Sequence, residues 1–237
     1  MSWFQCPPKS HGVPYISREF IECKGEEIAN VKHPCEVDIE LIAEKRGYKM
    51  DFQSLSHNRC YLGMAVFQTT DYIPIYDEIL NCAKYHHADK GTIIVDKHLL
   101  EKSNMNRYRF TIGHELGHLE MHTEVYNERI NMRVDEYEGV LCRSAWRKPK
   151  KDERSELDWI EVQANIFSAA TLMPRTAFLE LANSYYKISE QAVRFVDDAS
   201  NIFVVSPHAV CLRLSELNIM DFPYEIYCAI KHGVTIV

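Results

Sequence analysis

Apolar residues recur at helical spacing in several segments of the chain, and this periodicity predicts most of its helices. The predicted helices cover residues 16–31, 37–47, 107–122, 157–173, 176–187, 189–200 and 206–217. Gly47 ends the second of them, Pro174 ends the fourth, and Ser206 is a suitable N-cap for the last. Asn104 or Asn106 can cap the helix that contains residues 107–122.

Alternating and β-branched residues predict three strands in the first half of the chain. They lie at residues 49–55, 61–67 and 91–97. The polar insert at 68–90 fits no single element, and we assign none to it. Residues 124–155 are strongly charged and end in RKPKKDER (147–154), which predicts a solvated surface loop. Three strands followed by a set of helices indicate an α+β fold.

Composition and charge narrow the class of protein. The chain has 237 residues, of which 46% are hydrophobic and 26% charged, so it is long and apolar enough to bury a core. Its 27 basic and 34 acidic residues give a net charge of −7, which argues against a protein built around a broad nucleic-acid surface. The composition therefore favours an ordinary globular protein.

The cysteines and the apolar segments indicate a cytoplasmic protein. No apolar run resembles a signal peptide, and none approaches the roughly 18 residues of a membrane span. The eight cysteines include no CxxC pair, so a cysteine-based zinc knuckle has no support. We expect reduced thiols in the cytoplasm.

The most informative string is His114-Glu115-Leu116-Gly117-His118, an HExxH motif within a predicted helix. Residues four apart on a helix share one face, so both imidazoles can reach a single zinc ion. Glu115 lies beside that position, where its carboxylate can take a proton from an activated water and pass it to a leaving amine. The motif therefore predicts metal-dependent hydrolysis. The alternative is an amphipathic helix with solvated histidines.

A catalytic zinc site needs a third protein ligand. The position six residues beyond His118, where a metzincin has histidine, holds Glu124. His122 lies about 12 Å along the helix axis from His114, too far to share its metal, and is expected beside the site or at the surface.

The better candidate for the third ligand is Glu161, on the long helix at 157–173. Asn165 follows one turn later on the same face and can accept a hydrogen bond from a ligand histidine, which would fix its tautomer. Glu156 and Asp158 are rivals that spacing alone does not eliminate.

Two segments in this order resemble the ImmA/IrrE family of cytoplasmic metallopeptidases. RFTIGHELGHLEMH and EVQANIFSAATLMP are similar to the family pattern RFTLAHELGHLLLH … E-x-E-A-N-x-F-A-A-x-LLMP. The similarity extends over most of residues 37–217. Gln163 stands where the family often has a second Glu, and the insert at 68–90 departs from the pattern.

The resemblance implies a gluzincin-like core, in which a small twisted sheet packs with the HExxH helix and a Glu-bearing helix. It implies Zn²⁺ bound by His114, His118 and Glu161, with Glu115 as the catalytic base and Asn165 beside the metal ligands. The implied organisation is a metallopeptidase domain at 1–180 with a small helical C-terminal region at 181–237 packed on it.

Family members often cleave helix-turn-helix repressors, so the resemblance implies a zinc metalloprotease that acts on such a protein and regulates transcription. A regulatory or scaffold protein that keeps the metal site without cleaving its partner is the alternative. Direct contact with DNA is disfavoured, because the segment IFVVSPHAVCLRLSELNI (202–219) offers only His208 and Arg213 as positive groups.

Overall fold

The computed structural model describes residues 9–10, 13–14, 16–132, 139–143 and 156–233, with side chains described for 16–127 and 159–233. Its helices are α1 (Arg18–Ala29), α2 (Ile39–Lys45), α3 (Met105–Met121), α4 (Thr123–Met132), α5 (Glu156–Leu172), α6 (Arg175–Asn183), α7 (Ala192–Phe203), α8 (Pro207–Glu216) and α9 (Tyr224–Lys231). Its strands are β1 (Lys9–Ser10), β2 (Val13–Pro14), β3 (Lys49–Gln53), β4 (Tyr61–Val66), β5 (Thr70–Asp77), β6 (Cys82–Ala88), β7 (Thr92–Asp96) and β8 (Gly139–Arg143). Every helix and strand predicted from periodicity is present, with its ends shifted by a few residues.

A four-stranded sheet in the order β3-β7-β4-β8 forms the centre of the fold. β3 runs parallel to β7, whereas β4 is antiparallel to both β7 and β8. β5 and β6 form a separate antiparallel hairpin, and β1 pairs with β2. Mixed helices and sheets of this kind confirm the predicted α+β fold.

The two faces of the sheet bury different partners. Ala65, Ile93 and Val95 belong to the main core together with apolar residues of α3. On the other face, Met64 and Ile94 form a second cluster with residues of the hairpin. The sheet is therefore covered on both sides. Because successive side chains of a strand point to opposite faces, nearly every position in the central strands has to be apolar.

The insert at 68–90 is the β5–β6 hairpin. Ile73 and Ile75 point into the second cluster, and Asn81 adopts a left-handed conformation with φ of 53° in the turn. Asparagine tolerates this conformation better than most residues. The hairpin also leaves Ile79 and Leu80 exposed, so its apolar residues do not follow one buried face and the insert has no clear apolar periodicity.

The prediction of a surface loop over 124–155 is wrong for part of that segment. Residues 123–132 form α4, and Val125 and Tyr126 are buried in the main core. β8 lies in the same segment and pairs with β4. The start of α4 is therefore helical because its apolar residues are buried, although the segment as a whole is strongly charged. The basic run at 147–154 lies outside the described residues.

The C-terminal helices share the main core, through residues such as Phe195, Phe203 and Val210. Ser206 caps α8 as predicted, with its Oγ accepting from the backbone N–H of Ala209. Arg213 is fully buried and donates two hydrogen bonds to the carboxylate of Glu22, at 2.6 and 2.7 Å. α9 lies beyond the predicted helices.

Among the described residues, we find no helix with the length and apolar character needed to cross a lipid bilayer.

Candidate metal centre

Two glycines bring α3 and α5 close together. A Cβ atom at Gly113 would lie 2.5 Å from Oγ of Ser168, and one at Gly117 would lie 3.0 Å from Cδ1 of Phe167. Any larger residue at Gly113 would push the helices apart. Ser168 also donates a 2.9 Å hydrogen bond to the backbone carbonyl of Phe110 on α3. This close packing lets side chains of α5 reach the imidazoles of α3.

His114, His118 and Glu161 converge on one point between the two helices. The Nε2 atoms of His114 and His118 are 2.9 Å apart. Carboxylate oxygens of Glu161 lie 3.1 Å from Nε2 of His114 and 3.4 Å from Nε2 of His118. Both histidines are buried, whereas the Glu161 side chain remains 30% exposed. The structure thus brings together three groups that could hold a metal ion.

Asn165 lies beside the first of these imidazoles. Its Oδ1 is 3.0 Å from Nδ1 of His114. An amide oxygen can only accept, so the imidazole donates from Nδ1 and keeps its lone pair on Nε2. That lone pair faces the convergence point.

A longer hydrogen-bonded chain reaches the second imidazole. Oε1 of Gln163 lies 2.9 Å from Nε2 of His122, and Nδ1 of His122 lies 3.0 Å from Nδ1 of His118. With Nε2 of His122 donating to the amide oxygen, its Nδ1 accepts from Nδ1 of His118. His118 then also presents the lone pair of Nε2.

The arrangement fits a bound cation. Two nitrogen lone pairs and a carboxylate point at one another, which is repulsive unless a positive charge lies between them. Ligand atoms about 2.0–2.2 Å from a tetrahedral zinc are about 3.3–3.6 Å apart, so a bound ion requires the observed spacings of 2.9, 3.1 and 3.4 Å to widen by at most a few tenths of an ångström. His114, His118 and Glu161 therefore match the donor set and the size of a divalent metal site.

The pKa shifts agree with this protonation pattern. Burial lowers the pKa of His118, and burial together with the neighbouring His118 lowers the pKa of His122 to about 3. Neutral imidazoles and an ionised carboxylate are the forms that bind a metal.

Glu115 follows His114 on α3 and packs against strand β4 of the sheet. Its side chain is fully buried, and a Cβ atom at Gly63 of β4 would lie 2.7 Å from its Oε1. The same Cβ atom would lie 2.6 Å from Cγ2 of Thr111. The absent side chain at Gly63 therefore makes room for the carboxylate of Glu115.

The structure places three residues that the sequence alone did not. His122 was expected beside the site or at the surface, and it is buried against His118. Gln163 and Gly63 had been assigned no role. The side chains of Glu156 and Asp158, the rivals of Glu161, lie outside the described residues.

Comparison with known proteins gives a family. A family model for the IrrE N-terminal-like domain, of the M78 peptidases, matches residues 81–215. No curated protein sequence matches the chain. Among solved structures, a Mycobacterium tuberculosis transcriptional regulator is similar with a TM-score of 0.44 and 15% sequence identity, over 85% of this chain and 56% of that one. The chain thus spans little more than half the length of that regulator.

The family match includes the whole of α3 and α5, and hence every residue of the candidate metal centre. It covers more than half of the 237 residues. The resemblance noted in the two sequence segments is confirmed, and the chain belongs to the family of the IrrE N-terminal-like domain.

Proposed function

We propose that this protein is a zinc-dependent endopeptidase of the cytoplasm that cleaves a protein substrate, a helix-turn-helix transcriptional repressor. The observation that carries the proposal is the convergence of His114, His118 and Glu161, with Asn165 and His122 each in hydrogen-bond contact with Nδ1 of one of the two imidazoles. Membership of a peptidase family supports hydrolysis as the chemistry.

In the proposed mechanism, His114, His118 and Glu161 hold the metal. A bound zinc ion supplies a Lewis acid that lowers the pKa of water toward about 7. Asn165 and His122 hold the two ligand imidazoles in the tautomers that leave Nε2 available. Glu115 takes the proton of the attacking water on its carboxylate and delivers it to the departing amide nitrogen.

The charge of the protein suits the proposed substrate. A repressor that binds DNA carries a basic surface. The net charge of −7 on this chain would attract such a partner and repel DNA itself. Arg213, one of two positive groups in the segment 202–219, is buried in its pair with Glu22 and is not available to a phosphate.

The decisive experiment compares Glu115→Gln with the wild type on the proposed substrate, a helix-turn-helix repressor. The variant keeps the size of the side chain but cannot accept the proton, so cleavage should fall by at least about 10²-fold while zinc content stays at one ion per chain. Glu190→Gln, at an exposed glutamate far along the chain, is the matched control and should cleave normally.

The alternative function is a regulatory scaffold that keeps the metal and binds its partner intact. Equal loss of repression by the wild type and Glu115→Gln, with uncut repressor in both, would establish the scaffold and reject the peptidase. Absence of zinc from the purified wild type after incubation with excess metal would reject both functions.

A further inference from the structure

We infer that Gln163 and His122 are positioning residues that set the tautomer of His118 and so direct its Nε2 lone pair into the metal centre. The inference deepens the proposed function, because it rests on His118 being a metal ligand. We call Gln163, His122 and His118 the relay.

Two hydrogen bonds link the three side chains of the relay, and all three side chains are buried. Oε1 of Gln163 is 2.9 Å from Nε2 of His122, and the two Nδ1 atoms of His122 and His118 are 3.0 Å apart. Gln163 is 5% exposed, and both histidines are 0% exposed. With so little access to solvent, each polar atom has to satisfy its hydrogen bonds within the protein.

The orientation of the Gln163 amide decides which ring nitrogens of His122 and His118 carry protons. An amide offers an oxygen that accepts and a nitrogen that donates, and the two ends differ only by a rotation. With the oxygen toward His122, the protons lie on Nε2 of His122 and Nδ1 of His118. With the nitrogen toward His122, both protons move to the opposite ring atoms, and Nε2 of His118 carries a hydrogen that blocks a metal.

In the relay, Gln163 acts on the ligand His118 through His122, without contacting the metal ligands itself. Gln163 contacts His122, which in turn contacts His118. The corresponding partner of His114 is Asn165, which acts directly. Groups that orient a metal-bound histidine in this way typically change metal affinity about 10–100-fold when they are removed.

The test measures zinc affinity by competition with a chelator, on the full-length protein. Gln163→Leu removes the acceptor and His122→Phe removes the link, so each should bind zinc about 10–100-fold more weakly. Gln163→Glu keeps an acceptor and should stay within about threefold of the wild type. Thr171→Val is the matched control, because it removes a buried hydrogen bond within α5, from Oγ1 to the backbone carbonyl of Phe167, that is not part of the relay, and it should leave affinity unchanged.

A second measurement needs no variant. Long-range ¹H–¹⁵N correlation spectra of the zinc-loaded wild type report which ring nitrogen of each histidine carries the proton. The relay requires the proton on Nε2 of His122 and on Nδ1 of His118. The reverse pattern at His122 would overturn the inference even if the variants failed to fold.

The outcomes separate the relay from the proposed function. Tight zinc binding by the wild type, together with equally tight binding by Gln163→Leu and His122→Phe, would overturn the relay and leave the peptidase intact. Weakened binding in both, with recovery in Gln163→Glu, would establish it. No zinc binding by the wild type would overturn the metal centre itself.

Discussion

Asn165 on α5 bridges to His114 on α3, with its amide Oδ1 3.0 Å from Nδ1 of the imidazole. This contact spans 51 positions of sequence and fixes the orientation of a ring that is 2% exposed. The same side chain that joins the two helices therefore also prepares one donor atom of the candidate metal centre.

The first prediction concerns this contact. Asn165→Ala should weaken zinc binding by about 10–100-fold, because His114 loses the acceptor that holds its tautomer. The fold should remain intact, since only one side chain is shortened. Competition with a chelator measures the affinity, and circular dichroism checks the fold. Asn201→Ala, at an exposed position of α7, should bind zinc like the wild type. Unchanged affinity in Asn165→Ala would reject this role for Asn165.

A methyl group at Gly63 should interfere with Glu115. In Gly63→Ala the added Cβ would lie 2.7 Å from Oε1 of Glu115, so the carboxylate has to move and cleavage should fall while zinc binding persists. Overpacking of this kind costs about 1–3 kcal/mol of stability. Cleavage assays, zinc content and urea unfolding measure the three effects.

The matched control for Gly63→Ala adds Thr111→Ser, which removes the methyl group 2.6 Å from the new Cβ atom. Stability should recover in part, whereas cleavage should stay low because the contact with Glu115 remains. Full activity of Gly63→Ala alone would show that the carboxylate does not need this space.

Acid should weaken the contribution of Glu120 to stability. Its carboxylate accepts from Arg46 at 2.7 Å and from Tyr48 at 3.0 Å, and lies 3.3 Å from Lys24. Burial raises its pKa, but these partners, Arg46 first, outweigh burial and place the pKa below the usual 4.5. A lowered folded-state pKa stabilises the protein above the unfolded-state pKa, and that stability is lost as the pH falls through the folded-state value.

Glu120→Gln should therefore reduce the free energy of unfolding by about 1–2 kcal/mol at pH 7. The difference from the wild type should shrink below about pH 4.5. Urea unfolding at pH 7 and pH 4 in the presence of a chelator measures the difference without a contribution from zinc. A difference that stays constant over this range would exclude ionisation of Glu120 as its cause.

The buried pair of Arg213 and Glu22 should behave as a coupled unit. Arg213→Ala leaves the carboxylate of Glu22 buried without its two donors and should cost about 3–5 kcal/mol of stability. Arg213→Met combined with Glu22→Leu replaces both charges by apolar groups and should be close to neutral. Urea unfolding of Arg213→Met, of Glu22→Leu and of the double variant gives the coupling energy, and additive effects would contradict the pairing.

Local patterns were sufficient to predict much of the centre. The spacing of His114 and His118 places both on one helical face, and Glu161 and Asn165 share a face in the same way. The structure brings all four together at α3 and α5. Their roles in metal binding and catalysis remain predictions until zinc binding is measured.

The remaining features depend on contacts that no local pattern reports. Gly63 is required by the approach of β4 to Glu115, and the link of Gln163 to His122 joins positions 41 residues apart. His122 offered one usable signal, since it lies one turn after His118 on the same face. The β5–β6 hairpin was missed because Ile79 and Leu80 are apolar yet exposed, so the apolar residues of this stretch do not mark one buried face.

The pairing of Glu22 with Arg213 has a consequence for synthesis of the protein on the ribosome. The two residues are 191 positions apart, which corresponds to about 10–40 s of translation at about 5–20 residues per second. Throughout that interval α1 has been made, but the guanidinium that neutralises its buried carboxylate has not. Helix α1 therefore completes its docking only late in translation. A nascent chain stopped before residue 213 would already contain α5, against which Gly25 of α1 packs, but would hold the carboxylate of Glu22 without its guanidinium partner.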